Sequence, residues 1–262
     1  MNKPWIIDAH LHIGSPGLFF TPIFETGELL KLMDQIQIRL AVCCDHLSVS
    51  EGAGAGLDGL MSVYEESHGR IFYLAVYDPR RPEDLKTISK AARKPGFAGL
   101  KFHPSFHRTP AEDPRYEPAW KFAAEYDVAV LTHSWSVSEY NSSQRYSTPE
   151  RFENYIRKYP SVRFVLGHAG GRGTGRHDVV RLTNEYPNVY TDIAGDIFCN
   201  DLIESLVRTI PDNRILFGSD FPWLDPRANL TRVFLADIST RQKKNILCDN
   251  ANHVYQMGRT EC

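Results

Sequence analysis

The chain has 262 residues, of which 42 % are hydrophobic and 24 % are charged, and its formal net charge is -2. The hydrophobic fraction can fill the core of one large domain or two small ones, and the balanced charge without a basic run argues against nucleic acid and anionic membranes as partners. No apolar run reaches the roughly 18 residues of a transmembrane helix, and no secretory signal is visible at the N-terminus. We therefore expect a cytoplasmic protein whose five cysteines are reduced thiols.

The first predicted strand, residues 5–12, ends in His10 and His12. Side chains at positions i and i+2 of a strand point to the same face, about 6 to 7 Å apart at roughly 3.3 Å per residue. Two neutral imidazoles on one face are a plausible start to a transition-metal site. The alternative is a pair of strand histidines hydrogen-bonded to backbone or water, so further ligands must come from other strand ends.

Seven more short apolar runs follow, separated by amphipathic stretches. The predicted strands are residues 40–46, 71–77, 97–103, 128–133, 162–168, 188–194 and 214–220, and helical patterns include residues 28–33, 82–93, 117–126, 149–159 and 201–209. Regular alternation favours parallel strands joined by helices, and eight units fit an α/β fold, a single (β/α)8 TIM barrel. An open doubly wound sheet is the alternative. No linker divides residues 1–262, and the glycine-rich residues 51–56 are interpreted as a flexible loop.

Ionisable side chains recur where the predicted strands end. They are His10, His12, Asp45, His46, Lys101, His103, His133, His168, Asp192 and Asp220. In a parallel barrel these ends meet at one face, which carries the active site. Six of the ten histidines lie there, a clustering that scattered surface histidines would not produce.

The order of several short pieces resembles the amidohydrolase superfamily. The pieces are residues 8–12, 131–133, 166–171, 216–222 and the tail 245–251. The resemblance is to the amidohydrolase-related (amidohydrolase 2) branch, which includes proteins similar to aminocarboxymuconate semialdehyde decarboxylase. It covers essentially the whole chain.

The resemblance implies a metal held by His10, His12, His133 and Asp220. These ligands suit Zn²⁺, with Mn²⁺, Fe²⁺ or Co²⁺ as alternatives. Zinc can lower the pKa of a bound water to about 7, and the hydroxide is the candidate nucleophile. Asp220 would pass the water's proton to the leaving group. The alternative for Asp220 is a structural carboxylate that caps the following loop.

Three further strand-end residues have open roles. We expect His168 to polarise the substrate or to stabilise developing negative charge, with a second-metal ligand or a core histidine as alternatives. Lys101 stands where binuclear members of the superfamily carry a carbamylated, metal-bridging lysine. We favour an unmodified Lys101 near a substrate carboxylate, and an ion-paired lysine remains an alternative. His103 contacts the substrate, supports a ligand, or packs in the core.

Loop residues add candidate substrate contacts. Arg172 could clamp a carboxylate or lie in solvent. Aromatic residues of the loops suit an apolar or aromatic substrate, although such residues also simply pack loops. They are Phe19, Phe20, Phe24, Trp135, Tyr140, Tyr146 and Trp223.

We expect a metal-dependent hydrolase in which metal-bound hydroxide attacks an amide, ester or lactone of a small molecule. The alternative is a nonoxidative decarboxylase of an aromatic or unsaturated carboxylic acid, because the same ligands serve both reactions. A non-catalytic metal-binding barrel is the third possibility. Dimers are common in the branch that the chain resembles, but no segment identifies a homodimer interface.

Overall fold

The computed structural model of the protein describes residues 5–14 and 25–258. Eight parallel strands form one sheet in sequential order from β1 to β8. The strands are β1 Ile6–Ile13, β2 Ile38–Asp45, β3 Ile71–Val76, β4 Phe97–Phe102, β5 Ala129–Thr132, β6 Phe164–Leu166, β7 Val189–Asp192 and β8 Ile215–Leu216. The predicted (β/α)8 barrel is confirmed.

Helices connect the strands. They are α1 Thr26–Ile36, α2 His46–Glu51, α3 Ala53–Glu66, α4 Asp84–Ala91, α5 Pro104–His107, α6 Glu117–Glu125, α7 Glu153–Lys158, α8 Gly175–Glu185, α9 Leu202–Thr209, α10 Pro226–Leu235, α11 Thr240–Lys244 and α12 Asn250–Val254. Short 3-10 helices occupy Pro114–Tyr116, Ser142–Tyr146, Pro149–Phe152, Gly167–Gly170 and Asp212–Arg214, and a π-helix, Asn245–Asp249, joins α11 to α12. None of the described helices is long and apolar enough to cross a membrane.

The segment after β8 brings the sheet back to β1. The backbone N–H of Ala9 donates to the Phe217 carbonyl at 2.9 Å, and the N–H of Asp220 donates to the His10 carbonyl at 2.9 Å. These bonds place Asp220, the last residue of the predicted eighth strand, beside the histidines of the first. The barrel is therefore nearly closed, and its closure assembles the two ends of the sequence-predicted site.

A bulge in β1, between Asp8 and Leu11, includes His10. Asp8 pairs with Ala41 but Leu11 pairs with Cys43, so β1 carries one extra residue. Because side chains alternate along a strand, one extra residue changes which later side chains face the barrel interior. Across this bulge the rings of His10 and His12 still lie together, with centroids 5.2 Å apart, as the i, i+2 spacing predicts.

The interior below the site is apolar. Ile7 and Ala9 belong to a buried cluster that includes residues of other strands and of the last described helix and its end, among them Val254 and Tyr255. The Tyr255 hydroxyl donates to the Ala9 carbonyl at 3.2 Å. The end of α12 thus packs against the apolar part of β1 that leads into the histidines.

The glycine-rich residues 51–56 do not form the predicted loop. Gly52 alone, with a φ of +98°, separates α2 from α3, and the rest of the segment is helical. A Cβ on Gly56 would lie 1.6 Å from Oδ2 of Asp45, so this glycine lets α3 pack against the end of β2. The loop prediction is wrong because tertiary packing outweighs the weak helix propensity of glycine.

The prediction of reduced cysteines holds in part. Cys43, Cys44 and Cys199 are free thiols. Cys248 is disulfide-bonded, so the prediction is wrong for this residue. Cys262 lies outside the described residues.

Candidate metal centre and substrate cavity

Three of the four predicted metal ligands lie together. One side-chain ligand atom from each of His10, His12 and Asp220 falls within 4.8 Å of the other two. Oδ1 of Asp220 is 3.1 Å from Nε2 of His12 and 4.0 Å from Nε2 of His10. Burial raises the pKa of Asp220, but the neighbouring histidines outweigh it and hold that pKa well below the ordinary value. The group therefore offers two imidazoles and a carboxylate, a donor set that fits a divalent transition metal.

The close approach of β1 and the β8 end depends on Gly218. A Cβ on Gly218 would lie 2.8 Å from Cβ of His10 and 3.0 Å from Cβ of Ala194. Both neighbours are fixed to the backbone and cannot rotate away. Asp220 itself has a φ of +62°, which turns the chain directly after the approach.

We expect Gly218→Ala to lower the free energy of unfolding by about 1 to 3 kcal/mol, the usual range for overpacking a core. Gly59→Ala is the matched control, because a Cβ at this α3 position meets nothing within 4 Å. The control should be unchanged or stabilised by about 0.5 to 1 kcal/mol. Urea denaturation of both variants checks this, and equal stability would contradict the steric argument.

Asp192, noted at a strand end but given no role in the sequence analysis, holds two histidines in place. Its Oδ2 lies 2.8 Å from Nδ1 of His10, and its Oδ1 accepts from the backbone N–H of His168 at 2.8 Å and of Ala194 at 3.0 Å. A hydrogen bond from Nδ1–H of His10 leaves the lone pair of its Nε2 facing the site. Carboxylates that orient metal-binding histidines in this way are common. Nζ of Lys101 lies 2.7 Å from the same Nε2.

A thiol occupies the equivalent place behind His12. Sγ of Cys44 is 3.1 Å from Nδ1 of His12, whose Nε2 faces Asp220. Burial lowers the pKa of His12, but Cys44 and Asp220 outweigh it and raise the pKa to about 9. Sequence reasoning missed Cys44, which was expected only to be one of the reduced thiols.

His133, the fourth predicted ligand, is not in this group of three. Its Nδ1 lies 3.1 Å from Nε2 of His168, and its Nε2 lies 2.9 Å from Oε1 of Gln144. His168 in turn directs Nδ1 to the Ala194 carbonyl at 3.2 Å. Burial holds the pKa of His133 well below its ordinary value and lowers the pKa of His168 to about 4. Gln144, in the Ser142–Tyr146 3-10 helix, carried no sequence signal for a site role.

A cavity of about 610 Å³ opens above these side chains. It is lined by His12, His46, Leu47, Val49, Ser50, Lys101, His103, Phe106, His133, Trp135, Gln144, His168, Asp196, Asp220, Trp223 and Leu224. Lys101 is the only lysine or arginine among these lining residues. Burial lowers its pKa. Lys101, His103 and Trp223, which the sequence predicts as substrate contacts, thus line the cavity, whereas Phe19, Phe20 and Phe24 lie outside the described residues.

Parallel rings form two walls of the cavity. On one side His46 stacks on His12, with centroids 4.5 Å apart and planes 12° apart, and Nε1–H of Trp223 donates to Nε2 of His46 at 2.6 Å. On the other side His103 stacks on His133, with ring centroids 4.4 Å apart and planes 10° apart. Flat walls of this kind suit a planar substrate.

Arg172 does not line the cavity. Its guanidinium pairs with the carboxylate of Asp196 and also donates to the Asp196 carbonyl at 3.3 Å. Both side chains are exposed at the rim. The carboxylate clamp considered for Arg172 therefore has a competing partner within the protein.

Two short helices beside the cavity are tied together by His107. Its Nε2–H donates to the Val49 carbonyl at 3.0 Å, which joins α5 to α2. Burial lowers the pKa of His107 to about 4 from the ordinary 6.5, although Asp78 opposes the shift. The folded protein therefore holds the His107 ring in its neutral form at neutral pH.

We expect this histidine to make the protein less stable in acid. Between pH 6.5 and 4 the unfolded chain binds a proton at His107 and the folded chain does not, so stability falls as the pH drops. The loss is about 3 kcal/mol at most. His107→Gln keeps a donor for Val49 without the titration, so its stability should approach or pass that of the wild type at pH 4. If the free energies of unfolding of the wild type and His107→Gln differ by the same amount at pH 7 and at pH 4, this expectation is contradicted.

Comparisons with known proteins agree with this geometry. The family model described as amidohydrolase (Amidohydro_2) matches residues 45–257, more than half of the chain. No curated protein matches significantly.

Many solved structures share the fold, among them three decarboxylases with named substrates or bound ligands. The first is 2,6-dihydroxybenzoate decarboxylase from Rhizobium, with a TM-score of 0.77 and 15 % identity over 99 % of this chain and 100 % of that chain. The second is 5-carboxyvanillate decarboxylase from Novosphingobium aromaticivorans with manganese and 4-hydroxy-3-methoxy-5-nitrobenzoic acid, with a TM-score of 0.75 and 13 % identity over 97 % of this chain and 96 % of that chain. The third is dihydroxybenzoic acid decarboxylase from Polaromonas with manganese and 2-nitroresorcinol, with a TM-score of 0.74 and 18 % identity over 99 % of this chain and 98 % of that chain. At these identities the likeness is one of fold. With the family match over residues 45–257, the chain belongs to the amidohydrolase family.

Proposed function

We propose that the protein is a metal-dependent, nonoxidative decarboxylase of an aromatic carboxylic acid. The observation that carries the proposal is the cavity: it has flat ring walls and one lysine, and His12 and Asp220 of the His10, His12 and Asp220 group line it. The three structural neighbours named above are decarboxylases of aromatic acids, and two of them hold manganese with a nitroaromatic ligand. These neighbours support the decarboxylase alternative better than the hydrolase that we first expected.

The described residues fit a divalent metal. His10 and His12 each direct Nε2 toward Asp220, and Asp192 and Cys44 hold the opposite nitrogens. We propose His10, His12 and Asp220 as ligands, with His133 as the fourth, and Mn²⁺ or Zn²⁺ as the metal. When bound, the ion would supply positive charge that attracts the acid's oxygens and stabilises negative charge.

The protein's own groups would orient the acid and move one proton. The ring would lie between the two stacked walls, and the ammonium of Lys101 would pair with the carboxylate. As the bond from the ring to the carboxylate breaks, CO₂ leaves and its bonding electrons stay on the ring carbon. That carbon must then take one proton, which we assign to Asp220 as carrier, with His168 as a neutral hydrogen-bonding partner.

Deuterium incorporation tests this step. Metal-loaded protein and 2,6-dihydroxybenzoate in D₂O should give resorcinol with one deuterium at the carbon that lost CO₂, visible by NMR. Products of water attack on an ester or lactone, with no loss of CO₂ from any aromatic acid tested, would refute the proposal. We further propose that residues 1–262 form one catalytic domain. The cytoplasmic location and the homodimer stay predictions.

A further inference from the structure

His103 has a fixed tautomer. It follows β4 and caps α5, where its Nδ1 accepts a hydrogen bond from the backbone N–H of Phe106 at 3.3 Å and lies 3.3 Å from Oγ of Ser105. The Phe106 N–H also donates to the His103 carbonyl at 3.1 Å; because a backbone N–H can only donate, the Nδ1 that faces it acts as an acceptor and carries no proton. The proton of the neutral ring is therefore on Nε2.

The ring is also fixed in orientation. It stacks on His133 and meets the Phe106 ring at a steep angle, with centroids 5.8 Å apart and planes 64° apart. It lines the cavity together with Lys101, which stands two residues earlier on the same strand. Within residues 5–14 and 25–258, no side chain or carbonyl accepts a hydrogen bond from Nε2 of His103. The cavity wall therefore carries a donor with no acceptor in the described part of the protein.

We propose that His103 binds the substrate, and that it does so only as a hydrogen-bond donor, from Nε2–H to an oxygen of the acid. This inference rests on the proposed function, which supplies the class of substrate. Since Nδ1 is committed to the helix cap, His103 cannot take a proton there and serve as the general base. With Lys101 it forms a pair of donors that selects acids bearing acceptor oxygens.

Two substitutions separate the capping role from the binding role. Asparagine is among the best N-cap residues, so His103→Asn keeps an acceptor for the Phe106 N–H but removes the donor from the cavity. His103→Ala removes both. Ser105→Ala is the control, because it changes a neighbour of Nδ1 and leaves Nε2 as it is.

The probe is 2-nitroresorcinol, titrated calorimetrically into metal-loaded protein. We expect His103→Asn to keep the wild-type Tm and metal content but to bind the probe at least tenfold more weakly, and Ser105→Ala to bind it like the wild type. The pH profile of kcat/KM should keep the same limbs in His103→Asn as in the wild type. Unchanged affinity in His103→Asn, or loss of one limb of the profile, would overturn the inference.

The outcomes distinguish this inference from the proposed function. Wild-type protein that releases CO₂ from aromatic acids, together with a His103→Asn variant of unchanged affinity, would refute only the role of His103. Wild-type protein that neither binds the probe nor releases CO₂ from any aromatic acid would refute both.

Discussion

Asp220→Asn should remove bound metal and decarboxylase activity together. The carboxylate contacts His12 at 3.1 Å and is the only anionic member of the three-residue group, so an amide in its place leaves a neutral, weaker donor set. It also removes the proposed proton carrier. We expect kcat/KM to fall by about a thousandfold or more, equivalent to roughly 4 kcal/mol of transition-state stabilisation.

The control for this variant is Asp225→Asn. Asp225 is an exposed N-cap residue of α10, and asparagine caps equally well, so metal content and rate should stay at wild-type values. Metal per chain by mass spectrometry and initial rates at saturating metal are the measurements. An Asp220→Asn variant that keeps both its metal and its rate would exclude Asp220 from the site.

Asp192→Asn should weaken metal binding, although Asp192 is not one of the proposed metal ligands. The buried Asp192 carboxylate accepts from three N–H groups, and one of them fixes the tautomer of His10. An amide can present its NH₂ to Nδ1 of His10, which moves the ring proton to Nε2, the atom that must bind the metal. We expect metal affinity to fall by about 10- to 100-fold, as for other residues that orient metal-binding histidines.

Competition with a chromogenic chelator measures this affinity directly, independently of catalysis. Asp178→Asn, a partly exposed acid in α8, is the control and should keep the wild-type affinity. If excess metal restores the rate of Asp192→Asn, the residue acts by positioning His10. Wild-type affinity in Asp192→Asn would show that the hydrogen bond to Nδ1 does not set the tautomer.

The parts that the sequence predicts are those that depend on local periodicity. Strand residues alternate between faces, and in a parallel barrel the polar ends of strands converge, so His10, His12 and Asp220 are predicted to lie at one face although more than 200 residues separate His12 from Asp220. Their role as metal ligands is what the family resemblance implies. The barrel itself follows from the alternation of apolar strands and amphipathic helices.

The parts that the sequence could not predict depend on contacts between distant elements. Cys44 lies behind His12 because β2 pairs with β1 at that register, and its own neighbours in sequence indicate only a buried strand. Gln144 reaches His133 from an irregular loop that has no periodicity. Arg172 looked available for a carboxylate until the fold placed Asp196 against it.

The most direct test of the decarboxylase proposal is a carbon and oxygen balance on metal-loaded protein. A panel of hydroxybenzoic acids, with matching aryl esters and lactones, would be incubated in H₂¹⁸O, with CO₂ and ¹⁸O in the organic product measured by mass spectrometry. We predict one CO₂ per product molecule and no ¹⁸O in the product. Ester or lactone cleavage with ¹⁸O in the product acid, and no CO₂ from any acid, would show that the barrel is a hydrolase.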